Sequence, residues 1–144
     1  ANGEGVAGTV NQDYRGQMKD AILAADPSAV VIDPWDLVGA VCAELYPEGT
    51  PQSEYFKEDA HVRRAFSTVV DAAAKAHVVI TYLPEASMGS AVEIAAARAS
   101  NRTIVAIAPG SMAQNWVVRS YADCVLGSIE ELKSWLLDHV TRGT

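Results

Sequence analysis

The chain has 144 residues, nearly half of them apolar and a fifth charged, with a net charge of −7. That length suits one domain whose core hides roughly two thirds of the unfolded surface without disulfide or metal staples. The composition argues against disorder. An acidic balance with no basic run makes nucleic acid polymers and anionic membranes poor partners, yet leaves room for a small anionic ligand held by backbone N–H groups.

Residues 1–8 carry Gly3, Gly5 and Gly8 and lead into a helix over 11–25, where Tyr14, Met18, Ala21, Ile22 and Ala25 recur at helical spacing. In a doubly wound domain a glycine-bearing segment of this kind follows a strand. The expectation is therefore a first strand ahead of Ala1, the alternative being a frayed terminus over 1–10. Residues 29–32 form a short β-branched run closed by Asp33 and Pro34, which reads as a buried strand. A short helix over 35–45 and a Pro- and Gly-bearing loop follow. Residues 53–76 read as one long helix and 77–83 as a continuous apolar central strand. An alanine-rich helix over 87–99 and a buried strand over 103–108 come next. A helix over 111–121, a short strand over 124–126 and an amphipathic helix over 128–139 complete the chain. Alternating strands and helices with short connections predict a single doubly wound α/β domain, a parallel sheet with helices on both faces.

Cys42 and Cys124 each sit in an apolar stretch and read as buried free thiols. No cluster has metal-ligand spacing, so neither a metal nor another cofactor is expected. No apolar run approaches the ~20 residues of a membrane helix, and residues 1–5 do not resemble a signal peptide. A cytoplasmic protein follows by default.

Ligands of open α/β sheets bind at the carboxyl ends of the strands, and the segment after the 77–83 strand is the richest of these. Pro84 stops the strand, and Ser87 can cap the next helix. Met88, Gly89 and Ser90 lie in its first turn, where N–H groups lack intrahelical partners and can seat an anion. Glu93 stands on a helix otherwise rich in small apolar residues, a costly place for an unused carboxylate. It lies ~9 Å beyond Ser87 along the axis, at about 1.5 Å per residue. The alternative is a salt bridge from Glu93 to Arg98 or Arg102. Asp71 is the second carboxylate of interest, set among Val69, Val70, Ala72 and Ala73; it could orient a hydroxyl or serve as general acid, and the alternative is solvent exposure on the polar face of a long helix. Asp33 ends a strand but is also an ordinary helix-start signal. Asn115 and Trp116 offer an amide and a stacking ring.

The run Tyr82-Leu83-Pro84 followed by Glu-Ala-Ser-Met-Gly-Ser-Ala-Val-Glu-Ile over 85–94 resembles the nucleoside 2-deoxyribosyltransferase superfamily, which includes the nucleotide N-glycosidases. Ser87, Gly89 and Glu93 match its Ser-x-Gly turn and catalytic glutamate. The resemblance implies a Rossmann- or flavodoxin-like fold. It also implies cleavage of the N-glycosidic bond of a nucleoside or nucleoside 5′-monophosphate, with the sugar passing to water or to a second base. Glu93 would be the nucleophile, and Ser87, Met88, Gly89 and Ser90 would hold the sugar or phosphate. Gly3 and Gly5 would be the remainder of a phosphate loop, and Asp33 and Asn115 further binding residues. No cofactor is implied, and a homodimer or higher homo-oligomer is. The family's aspartate in the helix before the third strand falls on Val69, leaving Asp71 to stand in for it. That departure keeps open a non-catalytic nucleotide-binding module.

Overall fold

The computed structural model describes residues 2–143, with side chains described from Tyr14 to Thr141. It is an α/β structure. The elements run α1 (Asn2–Ala25), α2 (Pro34–Leu45), α3 (Asp59–Lys75), β1 (Val78–Tyr82), α4 (Met88–Ala99), β2 (Thr103–Ile107), α5 (Trp116–Tyr121), β3 (Cys124–Leu126) and α6 (Ile129–Gly143). The three strands form a parallel sheet in the order β1-β2-β3, with Val78 opposite Thr103 and Val105 opposite Cys124.

β2 lies at the centre, and residues 104–107 are fully buried. Its side chains alternate between two core clusters, as the pleat requires. Ile104 and Ala106 pack with Ile94 and Ala97 of α4 and Val118 of α5. Val105 and Ile107 pack with Ala21 of α1 and Leu132 and Leu136 of α6. Helices thus cover β2 on both sides, and α1 and α6 lie against each other.

Five sequence expectations are corrected. Residues 29–32 enter no ladder, and Val30 is 87 % exposed. A β-branched run states a preference for the sheet, but pairing needs a neighbour within reach. The strand expected at the centre, β1, is an edge strand paired on one side only. The helix expected over 53–76 is broken: a 3-10 turn spans Gln52–Glu54, Phe56 takes a left-handed φ of 59°, and α3 begins at Asp59. The break is anchored at long range, because the Phe56 N–H donates to Tyr46 Oη at 2.8 Å while Tyr55 stacks on the Tyr46 ring. The helix expected over 111–121 divides into a 3-10 turn, Gly110–Gln114, and α5. The two cysteines are half-buried rather than buried. Gly3 and Gly5 fall within the range of α1, and their surroundings lie outside the described residues.

Candidate functional site

The junction between β1 and α4 builds one wall of a cavity of about 470 Å³, within the ~300–1,000 Å³ range of small-ligand sites. β1 ends at Tyr82, Pro84 prevents its continuation, and Ser87 caps α4 by accepting the Ser90 N–H at 3.2 Å. The Ala91 N–H reaches the Ser87 carbonyl at 3.1 Å. The N–H groups of Met88 and Gly89 are left without a partner among the described residues, and they sit at the positive end of the α4 dipole. Ser87, Gly89 and Ser90 line the cavity, whereas the Met88 side chain is 90 % exposed and does not.

Glu93 projects from the second turn of α4 into the same cavity. α4 is not apolar all round: Ile94 and Ala97 form its buried face, and Val92 is 46 % exposed. Glu93 is half-buried because it faces the cavity. The two arginines that could have neutralised it are used elsewhere. Arg98 pairs with Asp123 at 3.8 Å, and Arg102 Nε donates to the Ala74 carbonyl at 2.7 Å. Among the described residues Glu93 has no hydrogen bond or ion pair. Burial pushes its carboxyl above the usual carboxylate range.

Residues that sequence reasoning counted only as helix or strand formers build the opposite wall. Tyr14 of α1 lies against Tyr82, ring centroids 4.6 Å apart. Burial raises the Tyr14 phenol above its ordinary value; Arg15 opposes this, and Asp33, Tyr82 and Glu93 add to the rise. Tyr14 and Glu93 are therefore electrostatic neighbours across the cavity. Arg15 reaches Asp33, Nε to Oδ2 at 3.0 Å, at an angle that makes the contact an ion pair rather than a hydrogen bond. Its guanidinium also lies 5.5 Å from the centroid of Trp35. Asp33 caps α2 through the Trp35 N–H at 2.9 Å. The trio Arg15, Asp33 and Trp35 ties α1 to the start of α2, and Arg15 and Trp35 line the cavity. The period of helix 11–25 placed Tyr14 on an apolar stripe but could not show what that stripe faces.

Four candidates do not line the cavity: Met88, Asp33, Asp71 and Asn115. Asp71 is exposed on α3, whose buried face is Ala65, Val69 and Ala73. Val69, at the position of the expected acid, lines the cavity instead. Asn115 uses its side-chain oxygen to cap α5, accepting from the Val117 and Val118 N–H groups at 2.9 and 3.3 Å. Among the described residues, no three His, Cys, Asp or Glu side chains cluster as a metal would require, and no helix is long and apolar enough to cross a membrane.

No family model, curated protein or solved structure matches the chain.

Proposed function

We propose that this chain is an N-glycosidase or glycosyltransferase acting on a nucleoside or nucleoside 5′-monophosphate, on a doubly wound scaffold, with Glu93 as nucleophile. The observation that carries the proposal is a half-buried carboxylate without a partner among the described residues, in a cavity of ligand size that Ser87, Gly89 and Ser90 at the capped start of the same helix also line. The resemblance of 82–94 to the nucleoside 2-deoxyribosyltransferases adds the chemistry. The anionic Glu93 carboxylate attacks the anomeric carbon, the bond to the base breaks, and the base leaves with the electron pair and takes a proton from solvent water. The glycosyl ester then passes to water, or to a second base in the transferase variant. The Gly89 N–H and the Ser90 hydroxyl, whose residues line the cavity, would hold a 5′-phosphate or the sugar. Tyr14 and Trp35 offer ring faces to the base. Release of free base from a panel of nucleosides and monophosphates, with Glu93→Ala as control, tests the reading. Unchanged release in the variant would remove Glu93 from the reaction.

The exposure of Asp71 and the presence of Val69 in the cavity favour a second reading, a nucleotide-binding module without turnover. A nucleotide that raises the melting temperature yet survives long incubation intact selects it. We further propose a homodimer. Val62 and Phe66 of α3 and Met88 and Val92 of α4, each pair one turn apart, are exposed apolar residues, and Phe66 reaches to 3.7 Å of where a Gly89 Cβ would stand.

A further inference from the structure

The glycosidic chemistry leaves the open edge of β1 unused. The Leu83 N–H donates to the Ile107 carbonyl at 2.8 Å and the Thr103 N–H to the His77 carbonyl at 3.4 Å. The odd-numbered residues along β1 therefore turn their backbone groups toward β2. Backbone direction alternates along a strand, so the N–H and C=O groups of Val78, Ile80 and Tyr82 face the other way, where the sheet has no further strand among the described residues.

Edges meant for water carry charges, proline or bulges. β1 reads Val-Val-Ile-Thr-Tyr, the composition of a strand enclosed in a parallel sheet, yet all five residues are only half-buried. Residues 29–33, which form no regular secondary structure, line a cavity together with Val78 and Ile80 of this edge and leave their own apolar residues exposed, Val30 at 87 % and Ile32 at 53 %. Between the two lies a slot that opens on both sides of the sheet. The Glu93 cavity is lined by α2, α3 and α4 and reaches Tyr14, Arg15 and Met18 of α1, and a second cavity of about 700 Å³ is lined by α1 and α6. Val78, Ile80 and Ile32 line both cavities. A strand in this slot sends successive side chains alternately into the two cavities. The slot is the lateral continuation of the β3-β2-β1 ladder, in which both pairings are parallel.

We propose that the slot accepts an extended apolar peptide strand, about as long as β1, running parallel to it and hydrogen-bonded to Val78, Ile80 and Tyr82. Seated there, its carboxyl end lies beside Tyr82 and walls the open side of the Glu93 cavity. The proposal stands apart from the glycosidic chemistry: the slot can take a strand whether or not base is released.

Amide hydrogen exchange, residue by residue, tests it. In the chain alone, Val78, Ile80 and Tyr82 should exchange at least about tenfold faster than Val79, Thr81 and Leu83, which donate to β2. The probe is a synthetic peptide, Val-Ile-Val-Val-Ile flanked by lysine pairs, and the control is the same peptide N-methylated at alternate residues. The first should slow exchange at Val78, Ile80 and Tyr82 by about tenfold or more, and the second should not. Any of three results overturns the proposal: equal protection of all six amides in the chain alone, no slowing at millimolar peptide, or equal slowing by the N-methylated control. Protection that rises with protein concentration in the absence of peptide overturns it in favour of a second copy.

Discussion

Replacing Asp33 with alanine removes two contacts at once, and a second substitution separates them. The Asp33 carboxylate caps α2 through the Trp35 N–H and pairs with Arg15. Losing an Asp cap costs about 1 kcal/mol. The ion pair lies between the surface and buried limits, since the two side chains are 22 % and 25 % exposed. Exposed pairs contribute ~0–1 kcal/mol, and breaking buried ones costs ~3–5 kcal/mol, so about 1–2 kcal/mol is the reasonable share here. Asp33→Ala should therefore destabilise by roughly 2–3 kcal/mol, lowering the melting temperature of a domain this size by about 6–9 °C. Asp33→Asn keeps a good cap and loses the ion pair, so it should lose only about 1–2 kcal/mol. Urea unfolding followed by circular dichroism reads both, with an unchanged m-value confirming that stability alone has moved. Equal losses in the two variants would refute the cap. A loss below about 0.5 kcal/mol in both would refute the buried character of the Arg15 pair.

Glu93→Gln should act in opposite directions on stability and activity. Burial raises the folded-state pKa of Glu93, so the folded chain holds a proton that the unfolded chain has already lost. That favourable difference is present below the ordinary carboxylate pKa and disappears as pH rises through the raised one. The glutamine variant should thus melt higher at pH 7, by a few degrees at about 1 kcal/mol per 3 °C. The gain should vanish near pH 4, and a thermal-shift series across pH reads it. Base release needs the anion, so the acid limb of the wild-type kcat/KM profile should lie above the usual carboxylate range, as a pH-rate series would show. Gly89→Ala should leave folding intact or slightly improved, because the new Cβ would meet only Phe66 at an ordinary 3.7 Å and alanine favours a helix by up to ~1 kcal/mol. It should nevertheless weaken ligand binding by about tenfold by crowding the open N–H groups; calorimetric titration beside a melting curve separates the two.

The strand-to-helix junction was legible because its signals are local. Pro84 as a stop, Ser87 as a cap and a carboxylate among alanines are all read within twelve residues. The cavity's far wall was not legible, because Tyr14, Arg15 and Trp35 meet Glu93 only through the packing of α1 and α2. Asp71 misled for a related reason. Apolar sequence neighbours on a helix point in other directions, and the buried positions of α3 lie at 65, 69 and 73, one turn apart. The 29–32 run showed apolar preference but could not show that its pairing edge faces a gap. The same missing neighbour leaves β1 half-buried at the sheet edge despite a central strand's composition. The break at Phe56 depends on Tyr46, ten residues away, which no helical period registers.

The central claim is that the Glu93 carboxylate forms a bond to sugar. The most direct measurement is intact and peptide mass of the chain quenched during turnover of the best nucleoside or monophosphate from the base-release panel. A glycosyl mass increment is expected on the peptide containing Glu93, absent from Glu93→Gln. Steady base release by the wild type with the increment on another residue, or unaltered release by Glu93→Gln, would contradict it.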